Sequence, residues 1–293
     1  MANVTLDKDP SRSLQHFYRY EYELLCCRYW TMEHWEHAEL SFPYWRIYHN
    51  DDPGAFITCN GKQIPISPRK MYIIPSYTSF SSHLFDYPVN PEANSCKGSK
   101  VTTDANRDAK HTVRHLFIHF DINATLARFP ETVYETECTS EMLMATEEIE
   151  KALIRDSENI SSHTTFLINM LVNKMLSVIP DNYWTSIVKD SRIMNTINYI
   201  GQNIQNKIGN TFLAKRVFLA TNSFARLFKE NTGDSPQNYI LKKRIELACK
   251  LLHHTDKSIE AIAAETGFSN RYHFTRQFAS VTHISPAKYR KEF

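Results

Sequence analysis

No apolar run in the 293 residues approaches the ~18 that a membrane-crossing helix needs, so a helical membrane span is excluded and no membrane partner is expected. The first residues, MANVTLDKDPSRSLQHF, lack the basic start and apolar stretch of a secretion signal. The six cysteines (Cys26, Cys27, Cys59, Cys96, Cys138 and Cys249) make no CxxC pair, and none stands at metal-ligand spacing with a histidine. That argues against a disulfide framework and for buried thiols in a reducing, cytoplasmic setting. No catalytic residue is assigned, and neither a cofactor nor a metal is expected. The length allows two domains of ordinary size.

Charge is unevenly spread. Residues 191–293 hold 16 Lys/Arg and 7 Asp/Glu, a balance of +9. Residues 1–190 hold the other 18 and 25, a balance of −7. A basic third on an acidic body points to a polyanionic partner for that third alone.

The same third contains a repeat. FARLFKENTGDSPQNY (224–239) returns as FTRQFASVTHISPAKY (274–289), identical at 7 of 16 positions. Each copy reads as the second half of a helix-turn-helix followed by a capped helix. In the second, Ser258 is the expected N-cap, and Ile259, Ile262 and Ala263 share one helical face. Gly267 ends that helix, Phe268 plugs the corner, Ser269 caps the next, and Phe274 and Phe278 face inward at i, i+4. In the first, Asn210 is expected to cap a helix bearing Phe212, Leu213 and Ala214. Leu219 fills the corner, and Phe224 and Phe228 face inward. Phe218 and Ala220 stand where the other copy has Gly267 and Ser269, so Thr221 or Asn222 is expected to cap instead. Leu213-Ala214 precedes Ile262-Ala263 by 49 residues rather than 50, which places one extra residue in the second turn. Ser235-Pro236 and Ser285-Pro286 each start a further helix, proline suiting the first helical position. The helix from Pro236 to about Leu252 joins the two units.

Two such units on one rigid rod can enter successive major grooves about one duplex turn, ~34 Å, apart. With the phenylalanines inward, the residues left to meet base edges are Asn222, Ala225 and Arg226 in the first unit and Arg271, Tyr272, Thr275 and Arg276 in the second. Lys215, Lys229, Lys288 and Arg290 are read as phosphate contacts. The partner is double-stranded DNA. A plain helical bundle with solvated arginines is the alternative.

GFSNRYHFTRQF followed by HISPAKYR, with LAKRV, FARLFKENTG and SPQNYILKKRIELACKLL before it, resembles the DNA-binding domain of the AraC/XylS family of bacterial transcription regulators. The resemblance covers Arg192 to Glu292. It departs at Phe218, at Ala220 and at His283, where the family usually has glycine. It implies a monomeric two-unit reader, usually an activator that also contacts RNA polymerase.

Residues 42–120 read as short antiparallel strands: YWRIY (44–48), AFITC (55–59), KQIPI (62–66), MYIIP (71–75) and HTVRHLFIHF (111–120). Asn60-Gly61 is a hairpin signal. NGKQIPISPRKMYIIPSYTSF resembles the cupin-like sensor domain of the same family. The fold class expected is therefore α+β: an N-terminal cupin-like β-barrel with two joining helices, then an all-α domain with two helix-turn-helix units. The boundaries read 1–180, a linker at 181–190, and 191–293.

Tyr44, Arg46 and Tyr48 share one face of a strand and Trp45 and Ile47 the other. The Tyr/Arg/Tyr face either holds a small-molecule effector, a sugar or a carboxylate, or is a solvated outer face. The resemblance adds that such domains often bind a sugar or another metabolite. His115 and His119 share a strand face that His83 can approach, but Phe80 stands where metal-binding cupins begin their histidine motif. Residues 88–110 read as a long polar loop.

Residues 139–156 and 160–179 read as helices. The second is apolar around most of its circumference and needs cover on nearly all sides. A homodimer through it, or burial within its own domain, would supply that cover. By resemblance this is where family members dimerise. The leading reading is a ligand-responsive transcription regulator. The alternatives are an effector-independent regulator, a cupin-type metal enzyme with a DNA-binding tail, and an architectural DNA binder.

Overall fold

The computed structural model describes residues 20–85, 94–102, 112–122, 129–184, 188 and 190–292. Its N-terminal part is a curled antiparallel sheet of nine strands: β1 (Tyr22–Leu40), β2 (Trp45–Asn50), β3 (Ala55–Cys59), β4 (Lys62–Pro65), β5 (Lys70–Ile74), β6 (Phe80–Leu84), β7 (Asn94–Lys100), β8 (Val113–Ile122) and β9 (Tyr134–Glu137). The order is β4-β3-β6-β1-β8-β2-β5-β9, with β7 on β1. Strands β4 and β9 end the ladder without pairing to each other, so the expected barrel is an open half-barrel. Asn60 and Gly61 both have positive φ, 50° and 72°, which is the primed turn that suits the β3–β4 hairpin. The stretch expected as a 88–110 loop contains β7, which pairs with β1 from Asn94 to Lys100; residues 88–93 and 103–110 of it lie outside the described residues.

Strand alternation divides the side chains between two cores. Trp45, Ile47, Leu116, Ile118 and Phe120 meet the helices α1 (Ser140–Arg155) and α2 (Ser162–Leu176) on the convex side. Met32, Trp35, Tyr44, Tyr48 and Phe80 fill the concave side. Neither face of β2 is solvated, because all six of its residues are buried. This overturns the outer-face alternative for Tyr44, Arg46 and Tyr48. The helix α2 turns Ile168, Leu171, Val172 and Met175 onto the sheet and α1, which is burial within its own domain; Phe166 remains 70% exposed.

One polar contact in this layer carries a pH effect. Asp51 accepts from Tyr29 and pairs with Arg114 Nη1 at 3.2 Å, and the half-buried Glu150 of α1 shares its surroundings. Burial first, then the neighbouring Asp51 carboxylate, pushes Glu150 well above the ordinary carboxylate range. The folded state therefore holds this proton more tightly than the unfolded chain does. Stability is lost as pH rises above the usual carboxylate value near ~4.3. Glu150→Gln is expected to raise the melting temperature by about 2–4 °C at pH 8, with the gain shrinking toward pH 4.5. Equal melts at both pH values would refute this.

The C-terminal part is helical: α3 (Ser191–Gln202), α4 (Asn210–Arg216), α5 (Thr221–Thr232), α6 (Pro236–His254), α7 (Ile259–Glu265), α8 (Arg271–Thr282) and α9 (Pro286–Glu292). It has two cores. One gathers Ile193, Ile197, Leu213, Phe224, Phe228 and Tyr239 around the first unit. The other joins Ile262, Phe268, Phe274, Phe278 and Tyr289 of the second unit to the concave face of the sheet.

Candidate nucleic-acid interface and the half-barrel cavity

The repeat in the sequence is a repeat of structure. Helices α4 and α7 are separated by 49 residues, α5 and α8 by 50, so the extra residue falls in the second turn. Phe224, Phe228, Phe274 and Phe278 are each fully buried, which at about 1.5–3 kcal/mol per side chain makes them the main anchors of the two second helices. Ser258, Ser235 and Ser285 cap α7, α6 and α9 as expected: Ser258 Oγ accepts from Ala261 N at 3.1 Å, Ser235 Oγ from Asn238 N at 3.4 Å and Ser285 Oγ from Lys288 N at 3.2 Å. Three caps differ from expectation. Asn270, not Ser269, caps α8 by accepting from His273 N at 2.8 Å. The N-caps of α4 and α5 are Gly209 and Ala220, and neither has a side-chain bond. Asn210 instead accepts from Gln237 Nε2 at 2.9 Å, which ties α4 to α6.

Two left-handed backbone positions recur, and each holds glycine only once. Gly267 has φ 78°, and its counterpart Phe218 has φ 56°. Gly233 has φ 83°, and its counterpart His283 has φ 63°. The turn geometry is therefore kept in both copies even where a side chain makes it costly. Phe218 points into solvent, 95% exposed.

On the outer faces of the second helices, Asn222, Arg226, Arg271, Tyr272 and Arg276 are exposed, and Ala225 and Thr275 are half-buried. Tyr272 is 87% exposed. Among the described residues Arg226 makes only a long i, i+4 pair with Glu230, 3.8 Å, in which its side chain stays 80% exposed. Such a pair contributes little, so the guanidinium is available at small cost. Lys215, Lys229 and Lys288 are exposed. Arg290 differs. Its Nη2 donates to Lys257 O at 2.5 Å and its Nε to Leu252 O at 3.4 Å. These bonds hold the α6–α7 connection and favour a structural role over the expected phosphate contact.

The connecting rod α6 is clamped at its middle. Arg244 donates from Nε to Ile204 O at 3.0 Å and from Nη2 to Asn206 O at 2.7 Å, both in the first unit. A Cβ on Gly267 of the second unit would lie 2.8 Å from that same Nη2 and 2.8 Å from Gln205 O. The guanidinium thus bonds the first unit to the rod and packs closely against the turn of the second. Sequence reading missed it, although a basic residue half-way along a connecting helix was visible.

Residues 213–292 match the helix-turn-helix domain family. These helices form an AraC-type helix-turn-helix domain. Over 92 residues the chain is 37% identical to the "Probable transcriptional regulator LumQ" of Photobacterium leiognathi, covering 31% of this chain and 37% of that one. Over 263 residues it is 24% identical to an HTH-type transcriptional regulator of Haemophilus influenzae, covering 84% of this chain and 86% of that one. The chain thus spans about a third of the first relative and most of the second. Its fold is similar to that of ToxT from Vibrio cholerae O395, with a TM-score of 0.50 and 11% identity over 92% of this chain and 97% of that one. The helix-turn-helix match is thus confined to residues 213–292, and the likeness to ToxT, at 11% identity, is one of fold.

The AraC-type domain rests its second unit on the half-barrel. The last turn of α6 sets His254 5.0 Å from the Tyr44 ring and 5.3 Å from that of His119. His253 lies 5.8 Å from Phe42. Lys250 pairs with Asp121 at the end of β8. Between sheet and domain lies an open cavity of about 480 Å³, lined by Trp35, Arg46, Tyr48, His115, His119 and His253 among others. Lys291 of α9 also reaches it.

Arg46 is the unusual group here. It is 3% exposed, yet no acidic side chain pairs with it among the described residues. Its Nη2 donates to Tyr44 Oη at 3.1 Å and Nη1 to Tyr48 Oη at 3.5 Å, and its Nε has no partner. The guanidinium stacks 3.4 Å above the Phe42 ring. His83, His115 and His119 do not converge. His115 bonds Asn50 Oδ1 at 2.6 Å, His83 meets Gln63 at 3.2 Å, and only His119 faces the α6 histidines.

Proposed function

We propose that the chain is a sequence-specific transcription regulator, an activator rather than an enzyme, whose hold on double-stranded DNA responds to a small anionic effector in the half-barrel. The observation that supports DNA reading is the doubled motif on one clamped rod, with Arg226 and Arg276 both exposed. In this reading Asn222, Ala225, Arg226, Arg271, Tyr272, Thr275 and Arg276 face base edges, and Lys215, Lys229 and Lys288 face phosphates. Gel shifts on a selected site and a scrambled one test it. Arg276→Ala is expected to lose roughly ten- to hundredfold on the selected site and little on the scrambled one, as for loss of a bidentate guanine contact of ~1–3 kcal/mol. Lys288→Ala is expected to weaken both alike. Equal losses for Arg276→Ala on the two would overturn the assignment.

The buried, acid-free Arg46 favours a carboxylate over a sugar as effector, with the Tyr48 hydroxyl of the same cavity as a further donor. Effector entering beside His253 would alter how α6 sits on the sheet, and so how the reader is presented. The division into a sensor of 1–180, a linker of 181–190 and a reader of 191–293 belongs to this proposal, as does contact with RNA polymerase.

A homodimer through α2 is part of the same reading. His163 of α2 bonds Glu148 of α1 at 3.1 Å. Because the two helices run antiparallel, Met144 and Phe166, 63% and 70% exposed, lie a turn further along the same side. Phe166→Glu is expected to convert dimer to monomer in sedimentation without lowering the melting temperature of the chain. A variant that sediments as wild type would refute this contact.

A further inference from the structure

Cys26 of β1, His119 of β8 and His254 of α6 each bring one ligand atom to within 4.8 Å of the others. The local fold is built to do this. The β1–β8 ladder pairs Leu24 with Phe120 and Cys26 with His119, so Leu25 is an extra residue. That bulge reverses the alternation of β1 and puts the thiol on the same side as the His119 ring. His254 comes from the AraC-type domain, its ring 5.3 Å from that of His119 at an angle of 69°. His253 adds a third imidazole, 4.6 Å from His254.

Three buried nitrogens in this cluster have no hydrogen-bond partner: Nδ1 of His119, Nε2 of His254 and Nδ1 of His253. His119 itself is only 5% exposed. Buried polar atoms are nearly always satisfied, and a group of orphaned imidazole nitrogens beside a thiol asks what satisfies them. One thiolate and two or three neutral imidazoles are the donor set of zinc and its borderline neighbours, not of calcium or magnesium, which want oxygen.

We propose that Cys26, His119 and His254 form a zinc-class metal site that joins the half-barrel to the DNA-binding domain, with His253 as the available fourth donor. The positively charged groups facing the cluster are Arg46, Lys250 and Arg28. Their repulsion is offset by the thiolate: the Cys26 S–H bond breaks, its electron pair forms the S–metal bond, and the proton leaves to solvent. With two ligands on the sheet and one at the end of α6, the metal holds the second helix-turn-helix unit against the sheet. The proposal does not depend on the effector reading, since it needs neither Arg46 nor an anion.

Cobalt(II) is the probe, added to the reduced full-length chain. One equivalent is expected to give the strong visible bands of a tetrahedral site together with a near-ultraviolet sulfur-to-cobalt band. Cys26→Ser removes the sulfur band, and His254→Ala weakens binding by more than roughly tenfold. Cys138→Ser, whose thiol lies outside the cluster, changes neither. The proposal fails if wild type shows no sulfur band, if the band survives Cys26→Ser, or if His254→Ala binds cobalt as tightly as wild type. Wild type and His254→Ala decide the matter alone should Cys26→Ser not fold. DNA-binding and effector assays are not involved, so this outcome is separate from theirs.

Discussion

Gly267→Ala is expected to cost about 2–4 kcal/mol, to lower the melting temperature by roughly 10 °C and to weaken DNA binding more than tenfold. Two penalties coincide at this position. Its φ of 78° disfavours any Cβ, and the Cβ would meet Gln205 O and Arg244 Nη2 at 2.8 Å each. The backbone oxygen cannot move without shifting the first unit. The guanidinium cannot move without releasing Ile204 O and Asn206 O. The substitution therefore loosens both readers, not only the one that contains it. The matched control is Phe218→Gly. It sits at the equivalent turn with φ 56° and 95% exposure, so removing its side chain relieves strain and leaves no hole. Its melting temperature should equal or exceed that of wild type. If Gly267→Ala melts with wild type in differential scanning calorimetry, the clamp is not what holds the units together.

Arg46→Met is expected to move stability and effector response in opposite directions. A buried cation without a counter-anion carries most of its desolvation cost uncompensated, and the tyrosine hydroxyls and the Phe42 ring offset only part of it. An apolar side chain of similar length should stabilise the effector-free chain by about 1–3 kcal/mol. The same change should abolish any thermal shift that small carboxylates produce in wild type. Thermal melts of both proteins across a carboxylate panel read both effects. A variant that is less stable than wild type, or that still responds to the panel, would remove Arg46 from the effector site.

The C-terminal domain was legible because its signals are local. Serine before proline, inward phenylalanines at i, i+4, and a glycine at the first turn each act within a few residues, and they occur twice. The strands at Ala55–Cys59 and Lys70–Ile74 were legible for the same reason, since β-rich runs stand between clear turn residues. Strand β1 was not. It is 19 residues long, but its register shifts between Leu24 and Cys26, between Met32 and His34 and between His37 and Leu40. Each shift reverses the alternation that sequence reading relies on, and MEHWEHAEL is too charged to suggest a strand. The burial of Arg46 could not be read either, because an arginine between two tyrosines has the same spelling on an inner face as on an outer one. The roles of Arg244, His253 and His254 depend on contacts across domains, to which no local pattern points.

The two readers are not equally encumbered. Only the second unit shares its core with the sheet, whereas the first closes a core of its own around Phe224 and Phe228. A change that loosens the core shared with the sheet would therefore reach the second unit first and leave the packing around Phe224 and Phe228 intact.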